Sequence, residues 1–516
     1  MNFAVRFLVL LLHVLYVLIT PILWLKSRRK KQTIPTISDG LLKISATELA
    51  AKIRKREVSS EQVCTAYIRR IKEVNPFLNA IVEERFESAL QDARNIDSYL
   101  RESLESEEEL EKTRPLLGVP LTVKESCSLE GLSLCGGTLS RAGVKASTDS
   151  EVVAKLKASG AVALLVSNTP EICLSWESNN FITGRTNNPY DTTRTSSGSS
   201  GGEGALLGAG ASLIGVGSDI AGSIRLPAMF NGVFGHKPTA RVISIKGHYP
   251  SCDDVNYADF LAIGPMTRYS RDLKLMMRVM TSDDVVLGLR LEEKVDMSRV
   301  KVFFMESEGN SFALPKVQDE IALTVRQSVD HLRNRSNCQI VNDFKFSELQ
   351  NSFEIAGSTL FSLKDIPNPL KADDQNLALE VIKSCVGLSN YTFNLLQFYV
   401  FQQINKAFLS DPGYIKKNEY LKQLFMEKLG HDGVFLYPTF TNSALTHGTF
   451  IFKFSGISYL MIFNSLGLPA THVPCGIDKN GLPIGIQVVA APYQDRLCFA
   501  VAEELEKCFG GWIPPN

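Results

Sequence analysis

Residues 197–227 read SGSSGGEGALLGAGASLIGVGSDIAGSIRLP, and the architecture of the whole chain turns on what that run is for. From Thr195 to Gly204 the chain holds no large apolar side chain, the composition of a flexible tether. A phosphate-binding loop is excluded, because neither GxxxxGK(S/T) nor GxGxxG between a strand and a helix is present. Gly198-Ser199-Ser200-Gly201-Gly202 does fit GxSxG, with Ser200 as an elbow nucleophile. An elbow must follow a buried strand, whereas NNPYDTTRTSS (187–197) is polar and turn-rich. That mechanism also needs a later acid and a histidine, for which the chain offers only scattered candidates in His431, His447 and His472.

Taken whole, the run resembles the signature of the amidase signature family of serine hydrolases. The resemblance rests on Ser199, Ser200, Gly202, Gly215, Gly217, Asp219, Gly222, Ser223, Ile224, Arg225 and Pro227. Two positions depart from it: Ser197 stands where most members have glycine, and Ala221 where glycine is usual but alanine tolerated. Ser197 bears on the dihedral preferences of its turn. GVPLTVKES (118–126) is similar to the family's catalytic-lysine segment, and NSLGLPATHVPCGIDKNGLPIGIQVVA (464–490) to its closing strand and turn region. The resemblance therefore covers essentially everything after the N-terminal segment. It is nearest to the fatty-acid amide hydrolase branch, in keeping with the 24-residue separation of Ser199 and Ser223.

The resemblance implies a Ser-Ser-Lys catalytic unit, with Ser223 as nucleophile, Ser199 as bridging serine and Lys124 as base. These residue types suit the task. An amide is a poor electrophile with a poor leaving group, so a hydroxyl must be sharpened, an oxyanion held and the departing nitrogen protonated. A lysine accepts a proton only when neutral, a state favoured by burial beside Val119, Leu121 and Val123. Backbone N–H groups of Ile220, Ala221, Gly222 and Ser223 would form the oxyanion hole, where side-chain branches would block approach to the oxygen. Asp219 and Arg225 flank the nucleophile and are expected to brace the loop as an ion pair, with Ser200 in a supporting role. Cys127 reads as a packed thiol and His472 as structural. No cofactor and no metal is called for.

Lys+Arg and Asp+Glu both number 55, so no global field points to nucleic acid or another polyanion. The ten cysteines are scattered, with no CxxC pair and no metal-ligand spacing, and read as reduced thiols. FLVLLLHVLYVLITPILWL (7–25) is almost uninterrupted apolar sequence of roughly the length that crosses a bilayer core, followed at once by KSRRKK (26–31). The basic cluster lies on the wrong side for a cleaved signal peptide, so the expectation is an N-terminal transmembrane helix with the body in the cytosol. Pro21 leaves room for a bent, monotopic insertion instead.

Along the body, Ser45-Ala46-Thr47-Glu48 and Ser59-Ser60-Glu61-Gln62 are capping boxes, the second helix stopping near Pro76. A third helix is expected over roughly 84–100 and another over 151–158. GVPLTVKE (118–125), AVALLVSN (161–168), VKVFFM (300–305) and GVFLYP (433–438) read as buried strands. Strands alternating with helices predict an α/β fold: one domain over 33–516, with a mixed sheet core covered by helices on both faces, behind an anchor and basic flank over 1–32.

The resemblance implies long-chain primary fatty amides and N-acylethanolamines as substrates. The sequence chemistry by itself supports amide or ester hydrolysis, including of another small amide, and leaves open a glutamine-amidotransferase-type subunit. Phe398 and Phe401, in the aromatic helix YTFNLLQFYVFQQINKAFL (391–409), are candidates to line an acyl tunnel or to dock on the bilayer. The expected partners are a lipid amide, the membrane and a second copy of the chain, and not nucleic acid. The expected location is an endoplasmic reticulum or lipid-droplet membrane.

Overall fold

Two short apolar runs, Pro120–Lys124 (β2) and Val162–Ser167 (β3), are buried along their whole length, as strands covered on both faces must be. They pair in parallel in a computed structural model that describes residues 31–308, 315–408 and 412–515. Ile81–Glu84 (β1) adds antiparallel to β3, and Ile214–Asp219 (β6) adds parallel to the other side of β2. Two short strands, Asn179–Asn180 (β4) and Gly184–Arg185 (β5), form a separate ribbon. The main sheet continues through Phe234–Lys237 (β7), Ala262–Thr267 (β8), Lys301–Phe304 (β9), Gln339–Ile340 (β10), Gly433–Pro438 (β11), Ala470–Ile477 (β12) and Pro483–Ala490 (β13). Its order is β1-β3-β2-β6-β8-β7-β12-β13-β11-β9-β10, parallel at β2, β3 and β6 and again at β9, β10 and β11, antiparallel elsewhere.

Side chains alternate between two cores. Val434 and Leu436 of β11, with Ile486 and Val488 of β13, join a cluster that includes Val325 and Val329 of the helix Asp319–Arg335 and Leu497 and Val501 of Asp495–Phe509. Phe435, Tyr437 and Val489 point the other way, towards Leu421 and Phe425 of Pro412–Leu429 and Leu460 and Phe463 of Ser458–Ser465. A period of two along the strand thus puts helices on both faces of the mixed sheet. Among the described residues no helix is long and apolar enough to cross a membrane; the apolar stretch 7–25 lies outside them.

Several boundaries moved. The helix Ser60–Leu78, opened by the full Ser59/Gln62 capping box, runs through Pro76 and ends on left-handed Asn79 (φ 50°). The proline gives up its own N–H bond to Lys72 O, and the helix still closes with Asn79 N–H on Asn75 O. Ser45 does cap Ala46–Arg54, but the Ala46 and Thr47 N–H groups go to the Asp272 carboxylate at 2.8 and 3.0 Å. Glu84 belongs to β1, and the third helix starts at Phe86. All ten cysteines are free thiols. Near the end of the chain Trp512 donates to Gly208 O at 3.0 Å and lies 4.7 Å from the Arg268 guanidinium.

Candidate active site

Because β2 and β6 run parallel and adjacent, their C-terminal ends emerge together, and that is where the polar residues collect. Lys124 ends β2, and Ser218 and Asp219 end β6. The Lys124 side chain is fully buried, with Nζ 2.6 Å from Ser199 Oγ and 2.9 Å from Ser218 Oγ. Ser199 reaches it from the glycine-rich loop, which the helix Gly201–Gly208 presses against β6. That approach explains the glycines. A Cβ on Gly215 would sit 2.1 Å from Glu203 Oε2, and one on Gly202 would sit 2.4 Å from Asn168 N. Ser199 is held from behind by Thr169 Oγ1, which donates to its carbonyl at 3.0 Å.

Ser223 follows four residues after β6, at the mouth of the same cluster. The Asp219 carboxylate shapes its loop from within, accepting Gly222 N–H at 2.7 Å and Ile224 N–H at 3.1 Å. Arg225 Nε lies 3.1 Å from Asp219 Oδ2, both side chains fully buried, so the ion pair expected from the sequence is present. Arg225 also donates to Asn464 Oδ1 at 2.7 Å and Gln487 Oε1 at 2.9 Å, and Asn464 Nδ2 reaches Asp219 O at 3.0 Å. Burial alone would push the Asp219 carboxyl up, but the Arg225 guanidinium holds it well below the usual carboxylate range. Gly222 has φ 99°, and a Cβ there would lie 2.6 Å from Leu460 Cδ1. Of the four N–H groups expected to face an oxyanion, that of Gly222 is committed to Asp219. Those of Ile220, Ala221 and Ser223 have no hydrogen bond to the described residues.

Ser200 sits elsewhere. It is fully buried, its Oγ lies 3.4 Å from both Ser218 O and Ser218 N, and its N–H donates to Ser223 O at 3.2 Å. It ties the two halves of the loop together and does not line the cavity that Ser199, Ser218 and Ser223 do. That removes the ground for the GxSxG reading.

The cavity is an apolar hollow of about 1300 Å³, counting its open mouth. Ser199, Ser218, Ser223 and His248 lie at its polar end, and Trp176, Leu360, Phe361, Phe398, Phe401, Phe454 and Met461 line the rest. Phe401 stacks on Phe454 with centroids 4.3 Å apart, and Phe398 lies 5.7 Å from Phe361. Both phenylalanines come from the helix Phe393–Phe408, and both also line a second hollow with Phe393 and Phe450.

A family model described as Amidase matches residues 62–499. The chain belongs to the amidase signature family. This amidase is 41% identical over 493 residues to "Fatty-acid amide hydrolase 2" of Homo sapiens, covering 93% of this chain and 92% of that one. It is 39% identical to "Fatty-acid amide hydrolase 2-A" of Danio rerio, at 95% and 93% coverage. Among solved structures it matches "Fatty acid amide hydrolase" with a TM-score of 0.69 at 22% identity, covering 91% and 86%. It matches "6-aminohexanoate cyclic dimer hydrolase" with a TM-score of 0.72 at 24% identity, covering 93% and 99%. The structural likenesses carry the fold, and the family and its relatives make this an amide hydrolase.

Two residues of the amidase's site were not singled out in the sequence. Ser218 bridges Lys124 to His248, whose Nε2 lies 2.9 Å from Ser218 Oγ and whose Nδ1 lies 3.0 Å from Pro250 O. His248 sits in an irregular stretch after β7, where no periodicity or motif marks it. The histidines weighed against GxSxG lie outside the cavity lining. His472 is fully buried with Nδ1 2.7 Å from Thr439 Oγ1, the structural role expected of it. Cys127 is a buried thiol paired by an isolated backbone bridge with His248. Among the described residues no group of three His, Cys, Asp or Glu side chains is arranged to hold a metal.

Proposed function

We propose that this amide hydrolase cleaves long-chain fatty-acid amides, primary amides and N-acylethanolamines, through a Ser223 acyl-enzyme. The observation that carries the reading is an apolar cavity lined by Ser223 and Ser199, with buried Lys124 hydrogen-bonded to Ser199 behind it. Each buried methylene contributes about 0.8 kcal/mol, so a hollow of this kind favours long acyl chains over short ones. The names of the relatives point the same way.

The chemistry follows from the contacts. Neutral Lys124 takes the Ser199 proton across their 2.6 Å hydrogen bond, and Ser199 takes that of Ser223 as its oxygen adds to the carbonyl. No hydrogen bond joins the two serine hydroxyls in the free enzyme, and such contacts tighten as substrate binds. The N–H groups of Ile220, Ala221 and Ser223 receive the oxyanion, while Gly222 N–H, held by Asp219, keeps the loop in shape. The relay reverses as the C–N bond breaks: Ser199 protonates the leaving nitrogen, and Lys124 returns its proton to Ser199. Water then adds to the Ser223 ester by the same route and releases the acid. Residues 7–25 keep the enzyme at a membrane, where such substrates partition.

Replacing Ser223 by Ala is expected to abolish labelling by a fluorophosphonate probe with the thermal melt unchanged; labelling that persists on Ser200 overturns the assignment. Purified protein is expected to hydrolyse oleamide and anandamide in preference to a short-chain amide, and the opposite preference overturns the substrate class.

A further inference from the structure

We propose that His248, acting through Ser218, is a positioning residue that fixes the direction of hydrogen bonding around Lys124 and so aims the amine's lone pair at Ser199. The inference rests on Lys124 being the base. The wiring can be read one proton at a time. Pro250 O only accepts, so His248 Nδ1, 3.0 Å away, carries a hydrogen and donates. In a neutral imidazole Nε2 is then a lone pair, and the Ser218 hydroxyl 2.9 Å from it must donate. A hydroxyl has one hydrogen, so Ser218 Oγ is left able only to accept from Lys124 Nζ at 2.9 Å. The Ser218 carbonyl, 3.5 Å from the same nitrogen, also only accepts. A neutral amine has two hydrogens and one lone pair. Both hydrogens are turned towards Ser218, and the lone pair is left for the Ser199 hydroxyl at 2.6 Å.

Without an acceptor at position 248 the Ser218 hydroxyl is free to turn and donate to that lone pair, in competition with Ser199. A protonated imidazole would do the same, because Nε2–H would claim Ser218 Oγ as acceptor and release its hydrogen towards lysine. The surroundings keep the ring neutral. His248 is buried, and burial holds its pKa well below the ordinary imidazole value, with a protonated Lys124 lowering it further, against the opposing Pro250 contact. The titratable groups around the pair are Lys124 on β2, Cys127 bridged to the His248 backbone, and Cys173 and Tyr257 across the cavity, with Glu203 within electrostatic reach of Lys124. Among the described residues no carboxylate hydrogen-bonds to the ring.

The experiment uses the purified full chain and compares His248→Leu, which fills the space without an acceptor, with His248→Gln, whose amide oxygen restores one. Both are made alone and with Ser218→Ala, beside Lys124→Ala, and each is assayed for kcat and KM on oleamide and for the rate of fluorophosphonate labelling. His248→Leu is expected to lower kcat and the labelling rate about 10- to 100-fold, with KM within about twofold. His248→Gln is expected to recover most of the loss, and His248→Leu to cost nothing further once Ser218 is Ala. Equal activity of the Leu and Gln variants, or losses that multiply in the double variant, overturns the proposal. Wild-type rates for Lys124→Ala overturn the base assignment instead. Should His248→Leu lose its cooperative melt, His248→Ala carries the same comparison.

Discussion

Ser197 sits one residue before the loop glycine Gly198 and shows what a single side chain costs there. Its φ is 69°, in the region that glycine adopts freely, and its buried hydroxyl has no hydrogen-bond partner. A non-glycine residue held there costs on the order of 1–3 kcal/mol, part of which glycine gives back through its freer unfolded chain. Ser197→Gly is therefore expected to raise stability by about 1 kcal/mol in a denaturant melt; a lower midpoint would refute this account of the strain. The departure at this position was visible in the sequence, as were Lys124, Ser199 and Ser223, because they sit in long patterned segments. Ser218 and His248 were not. Their contact joins the end of β6 to a residue 30 positions on in an irregular stretch, and nothing in local spacing records which way a side chain turns.

At the scale of elements, the strands were legible where a mostly apolar run is buried at every residue, as in Val162–Ser167 and Gly433–Pro438. β1 escaped because its residues are only partly buried and Glu83 and Glu84 have the composition of a helix start. β6 was hidden inside the catalytic signature, where glycines answer to the close approach of Gly201–Gly208 and give no strand propensity. The aromatic helix Phe393–Phe408 divides its role: Leu395, Leu396 and Tyr399 are buried in a small core, while Phe398 and Phe401 line the cavity. If that wall grips the acyl chain, kcat/KM on the wild type rises about fourfold per added methylene until the hollow is full. Phe398→Ser with Phe401→Ser is then expected to flatten that series by raising KM for long-chain amides, with short-chain rates unchanged. An equal loss on short and long substrates would mean that the helix serves packing alone.

Across the whole molecule, buried acids shape the response to pH, and among the described residues Glu203 and Glu308 are two that make no ion pair. Burial pushes Glu203 up to about 7 and Glu308 up to about 8, against hydrogen bonds from Thr122 to the former and from Ser352 and Ser458 to the latter. Between the ordinary carboxyl range and those values the folded chain keeps protons that the unfolded chain has lost. The contribution of these two carboxyls to stability therefore falls as pH rises from about 5 to about 8. Glu308→Gln is expected to remove its share, so that the difference between the variant and wild-type stability curves changes by about 1.4 kcal/mol per pH unit in that window. A constant difference would show that the carboxyl titrates alike in both states. Asp219, held low by Arg225, keeps its contribution throughout this range and loses it only in acid.

The brace behind the nucleophile has a consequence for biosynthesis. Arg225 is satisfied by Asn464 and by Gln487, the latter 262 positions further along the chain. A growing polypeptide therefore carries every reacting group long before it owns the partners that keep the Ser223 loop in shape. A product terminated before Asn464 would carry Lys124, Ser199 and Ser223 in its sequence but lack Asn464, Gln487 and the two strands, β12 and β13, at the middle of the sheet. The Ser223 loop thus gains its full brace only when the last strands, β12 and β13, join the sheet.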